Sequence, residues 1–325
     1  MAAGRRALLL ACGLSGLSAA ALAQGTGTTF PTRPISIAVP YTSGSSVDTI
    51  ARRVAERLSG ELGQPVVVEN RPGASTTIAT TYVARARADG HTLLFGTPAL
   101  SINPVLQPQL PPGDPRRVLA PVGRIAVTPF AVVAGPSVEA SNLEELVAWA
   151  KRHPGELTVA ITGAATVMRM AVELLARRAE IQVTYVPYNG GSGAVDIIAG
   201  RVHVGFIQTP DVGALREERG VRVLAVTSPE RVASLPGVRA IGELYPGYGV
   251  TSWNGLFAPA GTPEPVLERL NAALRLVLAN PELRAGFERV DVALVGGSRA
   301  DLGDHLDREI RQWAALQEQS PITVD

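Results

Sequence analysis

Between residues 35 and 63 the chain passes from an apolar run to a polar loop and then to one-sided periodicity. The alternating run Ile35-Ser36-Ile37-Ala38-Val39 predicts a buried strand that stops at Pro40. Tyr41 to Ser46 is a loop of small hydroxyl residues around Gly44. Ile50, Val54, Leu58 and Leu62 then recur on one helical face, and Gly63 closes the helix. A strand, a hydroxyl-rich loop and a helix start make a seat for an anion, because the first helical turn has unpaired N–H groups and the dipole favours negative charge there.

The same pattern continues. Residues 65–69 and 91–96 read as strands, with a turn at Asn70-Arg71-Pro72-Gly73 and a helix at 78–88 between them; 97–104 reads as a loop. A Pro-rich surface loop (107–115) precedes a long apolar stretch, 122–134, that contains Pro129 and suits a crossing between domains. Ser141 as N-cap, with Glu144 three residues on, opens a helix. Leu157–Ile161 is a strand, 162–166 a small-residue loop and 167–178 a helix, so the opening arrangement recurs. Strands at Val183–Pro187, 202–207 and 221–227 follow, with a Gly-rich loop at 188–193. Residues 248–258 read as a second extended crossing, and helices at 263–278, 281–287 and 300–317 end the chain, with the apolar 292–295 between the last two. Strands alternating with helices predict mostly parallel sheets whose ligands sit at the strands' carboxyl ends. Two crossings between two α/β lobes describe a hinged clamshell.

Composition changes this picture little. Apolar residues make up 46% and charged residues 18% of 325, which suits a folded chain of two domains. The first 23 residues are set apart: Arg5-Arg6, an apolar run over 7–22 and Ala21-Leu22-Ala23 form a secretory signal cleaved before Gln24. The twin-arginine route is open as well as general secretion. Without that segment 28 basic residues face 29 acidic ones, and no basic stripe points to nucleic acid. Cys12, the one cysteine, lies in the signal, where a lipid anchor is the lesser alternative to an inert residue.

Enzyme signatures fail. His91, His153, His203 and His305 are far apart and none has an i+4 histidine, so neither metal nor cofactor is expected. Gly190-Gly191-Ser192-Gly193-Ala194 lacks the last glycine of a nucleophile elbow, and Asp196 occupies the third-glycine place of a dinucleotide turn. A solvated turn is the plain reading of any one hydroxyl loop, but loops at 41–46, 162–166 and 188–193 recur at strand ends. Asp48, an acid beside an anion seat, would repel the ligand unless its charge is spent on backbone N–H groups, so it is expected to be the structural N-cap or a first-turn residue. Tyr41 and Tyr188, at strand-to-loop junctions, are candidates for walls of the cleft.

Several segments carry a resemblance: PYTSGSSVD (40–48), LGQPVVVENRPGA (62–74), DGHTLLFGT (89–97), VPYNGG (186–191) and WNGLFAPAGTP (253–263). Together they resemble the Bug-type receptors, the extracytoplasmic solute-binding proteins of tripartite tricarboxylate transporters. The resemblance implies a two-domain, type II-like periplasmic binding protein clamshell, each domain a mostly parallel sheet flanked by helices, with two crossing hinge strands. Residues 30–126 with 253–325 would form one domain and 127–252 the other. It implies a non-enzymatic, monomeric receptor that holds a small carboxylate in the cleft and passes it to membrane subunits. The carboxylate would be a di- or tricarboxylate, an amino acid or an aromatic acid. A ligand sensor feeding a signalling partner is the alternative, and a small hydrolase or lyase on the same scaffold a further one. Carried over by position, ligand contacts fall on Tyr41, Ser43, Gly44, Ser45, Ser46 and Thr97 in one lobe. In the other they fall on Thr162, Gly163, Ala165, Thr166, Tyr188, Gly190, Gly191 and Ile207. Val47, Val167 and Ile207 stand where the family commonly has polar residues, which leads to the expectation of a less polar cleft.

Overall fold

The computed structural model describes residues 30–161, 165–188, 193–218, 220–319 and 321–322. Its elements follow in order: β1 (Ile35–Val39), α1 (Ser46–Leu62), β2 (Val66–Asn70), α2 (Thr77–Ala84), β3 (Thr92–Gly96), α3 (Ala99–Leu106), α4 (Pro115–Val118) and β4 (Leu119–Ala134). Then come α5 (Leu143–Arg152), β5 (Leu157–Ile161), α6 (Val167–Ala179), β6 (Val183–Pro187), α7 (Ala194–Ile198), β7 (Val204–Gln208), α8 (Thr209–Leu215) and β8 (Arg222–Val226). The chain returns through β9 (Thr251–Pro259) and ends with α9 (Glu264–Ala279), α10 (Pro281–Glu288), β10 (Ala293–Leu294) and α11 (Arg299–Gln319).

The strands form one continuous path, β2-β1-β3-β9-β4-β7-β5-β6, with β8 and β10 also paired to β4. Each end of the path is a parallel trio: β1 lies between β2 and β3, and β5 between β6 and β7. The antiparallel strands β4 and β9 occupy the middle. The 16-residue β4 serves both trios. Its first part, Leu119 to Pro129, pairs with β9, and its last part, Phe130 to Ala134, pairs with β7 and β8. Pro129 has no N–H to give to a ladder, so it fits the point where the strand changes partners.

Each trio is covered on both faces, as parallel sheets require. In the first lobe Ile35, Ile37, Val39, Leu93 and Phe95 meet α1 and α9, while Ala38 and Leu94 meet α2 and α11. In the second, Phe130, Val132, Leu157 and Val159 meet α5 and α6, and Ala131, Val133 and Ala160 face Ile197 and Val212. α11 belongs to both lobes. Leu302, Leu306 and Ile310 pack in the first, whereas Trp313 and Leu316 join the core of the second.

Two local expectations change. The helix at 143 is capped by Asn142, not Ser141: Asn142 Oδ1 accepts from Glu145 N at 2.8 Å, and Glu145 Oε2 accepts from Ser141 N at 2.7 Å. The cap and its acid each move on by a residue, and the acid's return bond goes to the N–H of Ser141, just before the cap. The loop expected at 97–104 contains α3, which starts after Pro98 and carries Pro104 near its end.

Candidate functional site

The first lobe's rim is built by the turn that starts α1. Ser45 is the cap: its Oγ accepts from Asp48 N at 3.2 Å. Asp48, expected as the N-cap or a first-turn residue, is in the first turn, three residues later, and turns its carboxylate back. That carboxylate accepts from Gly44 N (2.9 Å), Arg52 Nε (2.9 Å) and Asn70 Nδ2 (2.8 Å). The shorter serine side chain reaches the helix N–H, and the longer aspartate reaches past it to the loop. Burial alone would raise the Asp48 pKa, but bonds from Arg52, the Gly44 N–H and Asn70 bring it down to about 2. The acid's charge is therefore spent inside the loop and does not oppose an anion outside it.

Ser43, Gly44 and Ser46 are exposed, and Ser45 is half-buried with its hydroxyl engaged in the cap. Gly44 has φ +85°, a left-handed value, with open space where a Cβ would project. Ser46 Oγ donates across the lobes to Gln208 Oε1, a long contact of 3.4 Å. This contact corrects the assignment of Ile207. Ile207 is 1% exposed and packs with Ala131, Ala160 and Val226 in the second lobe's core. Gln208, the last residue of β7, is the one that reaches the cleft. A polar residue ending an apolar strand at the carboxyl edge is a readable signal for such a position.

Tyr41 shows 37% of its surface, yet its hydroxyl is pushed up by burial and comes close to the Thr97 side chain. A ring with its edge in the cleft and its tip turned inward satisfies both observations. Thr97 itself is 3% exposed, and its Oγ1 does not complete a well-formed hydrogen bond. Asn254 on β9 is equally buried, with Nδ2 unpartnered. Each such group costs about 1–3 kcal/mol in a folded protein, so two of them near one rim require an explanation. Sequence reasoning passed over Asn254, although it is a polar residue inside the apolar run of β9.

In the second lobe Thr166 caps α6, its hydroxyl accepting from Arg169 N at 3.2 Å. Ala165 and Val167 pack on the core beside it. Tyr188 follows β6 and donates its hydroxyl to Asp196, which Arg201 also holds. Its ring lies where any side chain at Gly193 would sit: a Cβ there would come within 2.7 Å of it, at φ +69°. Thr162, Gly163, Gly190 and Gly191 lie outside the described residues. The expectation of a less polar cleft loses its basis, since Val47 and Val167 pack on the cores of their own lobes and Ile207 is interior. Concavities of about 720 Å³ beside α2 and about 540 Å³ beside α9 share no residue with these loops.

Two α/β lobes joined by long middle strands, with a capped helix start at the rim of each, define a binding protein of the periplasmic clamshell class. The chain belongs to the tripartite tricarboxylate transporter family receptors, whose family pattern matches residues 50–321. It is 37% identical over 320 residues to a UPF0065 protein of Bordetella bronchiseptica, covering 98% of this chain and 93% of that one. It is 31% identical over 314 residues to Protein BugT of Bordetella pertussis, covering 95% and 96%. Among solved structures, Rpa4515 of R. palustris with adipate superposes with a TM-score of 0.79 at 31% identity, covering 90% of this chain and 99% of that one. MatC of Rhodopseudomonas palustris with bound malate gives 0.76 at 31%, covering 88% and 99%. The periplasmic binding protein BugD gives 0.77 at 29%, covering 90% and 99%. The family is one of receptors, so the chain is a binding protein and not an enzyme.

Proposed function

We propose that this receptor captures a small carboxylate between its lobes and offers the closed form to the membrane subunits of a tripartite transporter. The observation that carries the reading is the first turn of α1. Its acid is neutralised in place, its cap leaves the Ser46 and Val47 N–H groups for a ligand, and Ser46 faces Gln208 of the other lobe. Adipate and malate in two structural relatives support the ligand class. The moving units in this reading are residues 30–126 with 253–325, and 127–252, closing as a hinge about β4 and β9. The chain works as a monomer exported by its first 23 residues. Ser43, Gly44, Ser46 and Thr97 contribute from one side, and the turn at Ala165 and Thr166 from the other.

Calorimetric and thermal-shift titrations with malate, adipate, citrate and aspartate test this. At least one is expected to bind, and a ligand at one hundred times its Kd stabilises by about 2.7 kcal/mol. Ser46→Ala is expected to weaken that binding without lowering the melting temperature of the free protein. Binding of a cationic or neutral solute with none of any carboxylate overturns the reading.

A further inference from the structure

Thr97 and the Asn254 amide noted above lie side by side. β3 and β9 run antiparallel, and their ladder ends with Gly96 opposite Gly255; continuing that register by one step sets Thr97 opposite Asn254. Their side chains share a face. Phe95, two residues before Thr97, and Leu256, two after Asn254, belong to the cluster under α1 and α9. Alternation along each strand then places Thr97 and Asn254 at the end of that cluster. It is the end where β1 also stops, and Val39, in the same cluster, leads through Pro40 to Tyr41. The approach of the Tyr41 hydroxyl to Thr97 supports the placement independently. The floor beneath the α1 capping turn thus holds a buried amide donor and a buried hydroxyl, each 3% exposed.

We infer that Asn254 is a ligand-contacting residue, its Nδ2 amide donating, with Thr97 beside it, to an oxygen of the bound carboxylate or to one water that the carboxylate orders. The inference rests on the carboxylate reading and extends it to a strand that none of the hydroxyl-rich loops includes. A buried amide serving the fold would be bonded to protein, as most buried polar groups are. Nδ2 of Asn254 is instead available. The neighbouring Trp253 makes the contrast: on the opposite face of β9, its indole N–H donates to Glu309 Oε2 at 2.7 Å. Alternate residues of one strand therefore divide their work, one fastening the fold and the next facing the ligand.

The test compares wild type with Asn254→Leu, of similar volume and without the polar group, and with the smaller Asn254→Ala in case leucine does not fit. Malate and adipate are the probes, and the readouts are the melting temperature of the free protein and the calorimetric Kd. Expected is an unchanged or raised melting temperature with a Kd weakened at least about tenfold, as for loss of a hydrogen bond to a charged group. A Kd within about twofold of wild type overturns the inference while the carboxylate reading stands. If wild type binds neither probe, the carboxylate reading fails for them and the melting temperatures decide. Lowered values in both variants make Asn254 part of the fold and overturn the inference, and a raised value in either sustains it.

Discussion

A carboxylate beside a turn proposed to receive an anion is tolerable only when its charge is already committed, and Asp48 meets that condition through three donors. Asp48→Ala removes the acceptor for Gly44 N, Arg52 and Asn70 together. A loss of about 1–3 kcal/mol in folding stability is expected, read as a lower urea midpoint, with weaker carboxylate binding as the loop at Gly44 loosens. The pH dependence has a definite sign. The folded pKa of about 2 lies below the ordinary 3.8, so the stabilisation is present above 3.8 and is lost as pH falls toward 2. Asp48→Asn should flatten that acid limb. Gln208 presents the opposite case. Its bond to Ser46 is long, so Gln208→Ala is expected to change the urea midpoint by less than about 0.5 kcal/mol equivalent, and to act on ligand affinity instead.

Among the elements, α11 carries an unusual burden. Glu309, 9% exposed, accepts from Ser101 Oγ of α3 (2.7 Å) and from Trp253 Nε1 of β9 (2.7 Å). His305 Nε2 lies 3.7 Å from its other oxygen, and Arg124 of β4 and Arg308 of α11 are the charges nearby. Burial raises the Glu309 pKa to about 7 and lowers that of His305 to about 4. For Glu309 the folded value exceeds the ordinary 4.5, so its contribution is greatest below pH 4.5 and is lost as pH rises through 7. For His305 the folded value lies below 6.5, so the unfolded chain binds the extra proton and stability rises from pH 4 to 6.5. The two slopes oppose each other over nearly the same window. Wild type should therefore show a flat urea midpoint from pH 4.5 to 6.5. Glu309→Gln should rise with pH and His305→Gln should fall, each by roughly 3 kcal/mol across the window. None of this is legible in the sequence, where nothing marks either residue as buried. What the sequence does carry is local: the alternation of β1, the one-sided face of α1 and the repeat of that arrangement at β5 and α6. It misses α3 because Pro98 and Pro104 suggest a loop, although a proline before the first turn breaks no helical bond. It misses Gln208 and Asn254 because a residue's place at a rim, or its lack of a partner, exists only after strands from distant parts of the chain have paired.

For the whole molecule, the question is what limits the opening of the lobes. β4 and β9 connect them, but α11 is fastened on both sides of the junction. Leu302, Leu306 and Ile310 hold it to the first lobe. Trp313, 1% exposed in the second lobe's core, and the Arg177 guanidinium, which donates to the Leu316 carbonyl, hold its end to the second. The Trp313 indole N–H also donates to Ser101 Oγ of α3 at 3.2 Å, tying the same point to the Glu309 group. In the proposed hinge closure, a helix fixed to both lobes lets them bend only as far as its end contacts yield, which sets the expected axis close to residues 310–313. Trp313→Ala tests this. Loss of the ring should cost about 3–5 kcal/mol, and a chain that remains folded at low temperature should open wider. Small-angle scattering of the ligand-free protein is then expected to give a larger radius of gyration than wild type. Saturation with whichever of malate or adipate binds should return both proteins to the same compact value, at a weaker Kd for the variant, because part of the binding energy now goes into closing a more open cleft. Identical ligand-free scattering from variant and wild type would assign the restraint to β4 and β9 alone.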